Sequence, residues 1–115
     1  MIVVIFEAWI KQGQKEEYFD IASKLKNELS KVDGFISIER FQSVSVPDKL
    51  LSLSVWRDEE AVKKWRNIEM HRQAQSKGRQ SIFKDYRIRI GSVVRDYGLL
   101  NRKESPKDSK VTHGL

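Results

Sequence analysis

Residues 35–56, FISIERFQSVSVPDKLLSLSVW, decide the fold. Phe35 to Phe41 alternates apolar with polar side chains, the period of a pleated strand. Pro47-Asp48 supplies turn chemistry, and Leu50 to Trp56 is a second alternating run. Strand, short turn, strand is an antiparallel hairpin. What lies on either side of this hairpin determines how it is used.

Upstream, Ile2 to Ile10 is apolar and β-branched, broken by Glu7, and reads as a strand covered on both sides. After Gly13, residues Tyr18, Ile21, Ala22, Leu25, Leu29 and Val32 recur at spacings of three and four, which predicts a helix over 14–32. Asp33-Gly34 ends it, with Gly34 suited to the left-handed position after a helix. Downstream, Asp58 is placed to cap a helix beginning Glu59-Glu60-Ala61, whose acids suit the positive end of the helix dipole. Ala61, Trp65, Ile68, Arg72 and Gln75 share one face of that helix, and Gly78 ends or interrupts it. A last strand is expected over 85–97, where Tyr86, Ile88 and Ile90 alternate with basic residues. The order β-α-β-β-α-β predicts an α+β, ferredoxin-like domain, a four-stranded antiparallel sheet with both helices on one face. The expected organisation is one folded domain over 1–100 and a polar tail over 101–115, either mobile or laid over a neighbour.

The sheet face away from the helices should be polar in a monomer. Instead, Val3, Ile5, Glu7 and Trp9 on one side of the first strand are as apolar as Val4, Phe6, Ala8 and Ile10 on the other. Leu51, Leu53 and Val55 repeat the pattern against Leu50 and Trp56. Two apolar faces exceed what a monomer usually exposes, so a homodimer paired sheet to sheet is expected.

Composition removes other functions. The absence of cysteine excludes disulfides, thiolate metal sites and cysteine nucleophiles, and fits a cytoplasmic protein. Two distant histidines give no metal spacing, and neither a dinucleotide fingerprint nor a phosphate-binding loop is present. No run approaches the length needed to span a bilayer, and the N-terminus lacks the pattern of a signal peptide. The net charge of +6 and pI near 9.7 raise nucleic acid as a partner, but no reading motif accompanies the basic stretch 63–89, so none is expected.

The segments VVIFEAWI, EEYFDIASKLKNEL, DGFISIERFQS and LLSLSVWRDEEAVKKWRNIEMHRQAQSKGR together resemble the antibiotic biosynthesis monooxygenase family, over roughly residues 2–97. The resemblance implies a dimeric α+β barrel with a small cavity between sheet and helices in each subunit. Relatives include cofactor-independent monooxygenases of phenols, haem-degrading enzymes and an enzyme acting on quinols. The haem-degrading pattern of an Asn, a Trp and a His falls here on Glu7, Trp65 and Gln75, so only the Trp is kept, and Gln is a poor axial ligand.

The pattern of cofactor-free relatives, a Trp and a hydrogen-bonding ring on the second helix, is met by Trp65 and His71. The leading expectation is therefore a cofactor-independent monooxygenase taking a small aromatic or quinol-like substrate and O2. Its catalytic residues would be Glu7, Trp65 and His71, with Trp9, Arg72, Gln75 and Arg87 contacting substrate. Glu7 would serve as a base if burial raised its pKa, or would be an ion pair with Arg40, Arg87 or Arg89. The alternatives are a non-catalytic ligand-binding or stress-response module, and a haem-binding protein using His71.

Overall fold

A computed structural model describes residues 1–75 and 82–109, with the backbone alone for 70–75. Six elements follow one another: β1 (Ile2–Ile10), α1 (Lys15–Leu29), β2 (Phe35–Gln42), β3 (Lys49–Trp56), α2 (Glu59–Gln75) and β4 (Phe83–Ser92). The sheet order is β2-β3-β1-β4, antiparallel throughout. This is the expected α+β, ferredoxin-like βαββαβ arrangement. Among the described residues no helix is long and apolar enough to cross a membrane.

Side chains alternate across a strand, so parity sets which residues meet the helices. Even-numbered residues of β1 and β3 face them. Ile2, Trp56, Ala61 and Val62 form one buried cluster with Leu29 and Val32. Ala8, Ile10 and Leu50 form another with Tyr18 and Ile82. Trp56 is 1% exposed, stacks edge-on with Phe35 at 5.3 Å between ring centres, and donates its indole N–H to Ser54 Oγ at 2.9 Å. That bond satisfies a polar atom which burial would otherwise penalise. The odd-numbered residues Val3, Ile5, Leu51, Leu53 and Val55 lie on the opposite face, half-buried.

The capping expectation at Asp58 is met: its Oδ1 accepts the Ala61 N–H at 2.9 Å. Gly34 has φ +94°, and its carbonyl accepts the Arg57 N–H at 2.7 Å. A Cβ placed there would stand 2.7 Å from the Ala61 Cβ, so both conformation and close approach require glycine.

Two boundaries differ from expectation. Helix α1 ends at Leu29 rather than 32, because the chain tightens into i→i+3 contacts such as Val32 N–H to Leu29 O. Strand β4 runs from Phe83 to Ser92 rather than 85–97, because its partner runs out. Ile2 pairs with Ser92, and the Val93 N–H to Met1 carbonyl bond at 3.0 Å closes the ladder. Beyond it the chain folds back on itself. Glu104 accepts the Asp96 N–H, Arg102 lies over the Tyr97 ring, and Ser105 is buried. Gly78 lies outside the described residues.

Candidate functional site

The sequence groups Glu7, Trp65 and His71 around one pocket, with Trp9, Arg72, Gln75 and Arg87 as substrate contacts, and the fold divides them. Glu7 and Trp9 sit at odd positions of β1, on the face turned away from the helices. Arg87 is the direct cross-strand partner of Glu7 and points the same way. Trp65 is on the other side of the sheet, packed against the Trp56 cluster with its ring centre 6.5 Å from that of Trp56. A sheet one strand layer thick therefore separates Glu7 from Trp65. The expectation that they line one pocket of a single subunit is corrected, and the reason is parity. His71, Arg72 and Gln75 lie on α2, but their side chains are outside the described residues.

Glu7 is an ion-paired carboxylate. One oxygen lies 2.7 Å from the Lys49 ammonium, and the other accepts a bond from the Arg89 guanidinium. The Lys49 hydrogen bond lowers the Glu7 pKa most; desolvation opposes the shift, while the Lys49 charge and Arg89 reinforce it. A carboxylate held below its ordinary range is a weak base near neutral pH. The raised pKa that a general base would require is thus replaced by the ion-pair reading. Arg89 is one of the partners expected; Lys49 is not. Lys49 also lies 4.9 Å from the centre of the Trp9 ring. Beside this group, Ile5, Glu7, Phe41, Lys49 and Leu51 line an open hollow of about 410 Å³.

The helix side carries a different surface. Ala8, Phe6 and Val4 of β1 pair directly with Tyr86, Ile88 and Ile90 of β4, so these three also point toward the helix layer. They are nonetheless 56%, 51% and 49% exposed. The Phe6 ring lies 5.7 Å from both Phe83 and Tyr86. Trp65 and Val4 pack against the same buried cluster, and Phe6 and Phe83 against the other. The result is an uncovered aromatic and aliphatic strip beside the helices. Tyr86, Ile88 and Ile90 were not among the candidates, although their alternation with Asp85, Arg87 and Arg89 marks one apolar strand face.

No group of three or more His, Cys, Asp or Glu side chains among the described residues is placed to hold a metal. For haem, the resemblance puts Gln75 where haem-degrading relatives carry their histidine, and an amide is a poor axial donor.

Residues 1–77 match the family model described as antibiotic biosynthesis monooxygenase. The chain belongs to the antibiotic biosynthesis monooxygenase family. A jasmonate monooxygenase of Pyricularia oryzae is 44% identical to this family member over 94 residues, covering 82% of the chain and 44% of that protein. The chain therefore spans less than half the length of that relative. Rv0793 from Mycobacterium tuberculosis shares the fold at 12% identity and TM-score 0.71, over 84% of this chain and 98% of its own. MhuD, in a complex with two manganese protoporphyrin IX molecules per active site, does so at 18% identity and TM-score 0.68, over 85% and 99%. The two structures show that the family fold extends over most of the chain.

Proposed function

We propose that this chain is a monooxygenase that carries oxygen from O2 into a small, largely apolar ring substrate held on the helix side of the sheet. It acts without a cofactor of its own, as a homodimer, through a folded unit at 1–100 to which 101–115 is a polar appendage. The observation that carries the reading is the exposed strip of Tyr86, Ile88 and Ile90, continuous with Phe6 and Phe83, on the side of the sheet where Trp65 lies. Aromatic walls suit a planar ring through edge-to-face and offset contacts.

The chemistry asks little of the protein. An electron-rich phenol, once deprotonated, passes an electron to O2; oxygen adds to the ring carbon, and loss of water leaves a carbonyl. For a ring CH2 the sum is CH2 + O2 → C=O + H2O, with all electrons drawn from the substrate. The protein binds, orients and removes the first proton. His71 on α2 is the residue assigned to that proton, its ordinary pKa lying close to neutral. Arg72 and Gln75 on the same helix are assigned to the oxyanion. Glu7, Trp9 and Arg87, on the opposite face, are not assigned to this step.

A second substrate is favoured by the 44% identity to the jasmonate monooxygenase. Jasmonate is a cyclopentanone carboxylate with no electron-rich phenol, so its monooxygenation requires two electrons from outside. Oxygen uptake separates the two: phenols of the anthrol and hydroquinone type alone, and jasmonate with and without a reductant. Uptake with phenols alone supports the first substrate class, and reductant-dependent uptake with jasmonate the second. His71→Ala is expected to lower kcat on the active substrate by about 10²- to 10⁴-fold, the range of a lost general base. Tyr86→Ala is expected to raise KM. No uptake with any of these substrates counts against the proposal.

A further inference from the structure

Directly paired residues of an antiparallel sheet form rows that cross the strands and point to one side. On the side of the helices three such rows read, from the β2 edge to the β4 edge, Ile38–Ser54–Val4–Ile90, Arg40–Ser52–Phe6–Ile88 and Gln42–Leu50–Ala8–Tyr86. Arg40 is the one charged side chain in these rows. The sequence offers it as a partner for Glu7, but parity turns it to the opposite side of the sheet. Its Nε is covered by protein and bonds to nothing among the described residues, and its Nη groups make no hydrogen bond or ion pair there either. Its cross-strand neighbour Ser52 is 8% exposed. The Ser54 hydroxyl two residues on is engaged by the Trp56 indole, whereas that of Ser52 has no partner among the described residues. Buried polar groups are ordinarily hydrogen-bonded, and a cation set against hydrocarbon is costly without an anion.

We propose, resting on the ring site inferred above, that Arg40 and Ser52 are the carboxylate anchor of that site, and that its substrate class is a ring carrying an acid side chain. The carboxylate takes the paired Nη donors of Arg40, whose fork matches its two oxygens, and a further bond from the Ser52 hydroxyl. The ring lies further along the same row, over Phe6 and Ile88, against the exposed strip of β4. Three strand spacings, about 14 Å, separate Ile88 from Arg40, and the arginine side chain spans only part of them. The acid and the ring are therefore joined through a chain of a few carbons rather than bonded directly.

Other ligands suit the row less well. A cation would meet a guanidinium. A wholly apolar ring would cover Arg40 and Ser52 and leave both without partners. A phosphate monoester brings two negative charges to a surface whose rows hold a single cation.

The test is equilibrium dialysis under nitrogen, which measures binding without turnover. The ligands are a naphthol bearing a butanoate side chain and its primary amide, which keeps the shape and loses the charge. Both are measured on the full chain, Arg40→Gln, Arg40→Lys, Ser52→Ala, and Lys31→Gln as an equal loss of charge at an exposed position just beyond α1. Circular dichroism checks the fold of each. The wild type is expected to bind the acid about 10- to 100-fold more tightly than the amide, the range of a hydrogen-bonded charge. Arg40→Gln is expected to bring acid and amide within about twofold of each other while the amide binds as before, and Lys31→Gln to leave the preference within about twofold of wild type. Ser52→Ala is expected to lower it about fivefold. Arg40→Lys keeps part of it, since an ammonium retains the charge but not the paired donors. Equal affinity of the wild type for acid and amide overturns the anchor and leaves the ring site standing. So does a preference that survives Arg40→Gln or falls as far in Lys31→Gln. If Arg40→Gln loses the wild-type spectrum, an unchanged preference in both Ser52→Ala and Arg40→Lys overturns the anchor. Failure of the wild type to bind either ligand overturns the ring site and the anchor with it.

Discussion

Glu7 sits in the middle of an otherwise apolar strand, where an unpaired carboxylate would be costly. Lys49 and Arg89 resolve that cost by holding it ionised. Its pKa is depressed in the folded chain, so the unfolded state binds its proton more readily. The stabilising contribution is then fully present above the ordinary glutamate range and is lost as pH falls through the folded value. The urea midpoint of the wild type is therefore expected to exceed that of Glu7→Gln by a constant margin between pH 6 and 8, and the margin to shrink below about pH 4.5. A margin that instead widens in acid would mean that Glu7 is not held by these cations. That Glu7 needs a partner was legible in the sequence, and Arg89 was within reach because opposite charges on neighbouring strands recur. Lys49 was not, since it stands beside the turn at Pro47-Asp48, and its direction follows only from the parity of β3.

At the scale of elements, the joint between α1, β2 and α2 depends on Gly34. The loop after α1 turns through its positive φ, its carbonyl takes the Arg57 N–H, and α2 begins against it at Ala61. Gly34→Ala adds a left-handed penalty and a contact of 2.7 Å with the Ala61 Cβ. Together these are expected to cost about 2–4 kcal/mol, read from urea unfolding. Pairing it with Ala61→Gly removes the overlap but keeps the conformational penalty, so recovery should be partial. The hairpin, the Asp58 cap and the glycine after the first helix were all readable locally, because turn and cap chemistry depends on near neighbours in sequence. Two things were not readable. The end of β4 depends on where β1 starts, which is a long-range fact. The side chosen by the helices is hidden because both faces of β1 are apolar; the single-cavity grouping of Glu7 with Trp65 failed for that reason.

For the whole molecule, the sheet is a partition with separate business on each side. An aromatic and aliphatic strip lies toward the helices, and the ion-paired Glu7 with its apolar neighbours Ile5, Leu51 and Leu53 lies away from them. The bond from Val93 to the Met1 carbonyl carries a consequence for connectivity. The start of β1 and the end of β4 are adjacent strand ends, so a few glycines could join residue 93 to residue 1 without strain. The chain could then be opened between Val44 and Ser45, in the β2–β3 turn, where Val44 is fully exposed. Such a circular permutant, lacking residues 94–115, is expected to unfold in one cooperative transition with the wild-type circular dichroism spectrum. The order of elements along the chain would change while every strand kept its neighbours, which would locate the information for this architecture in the pairings rather than in the path that links them.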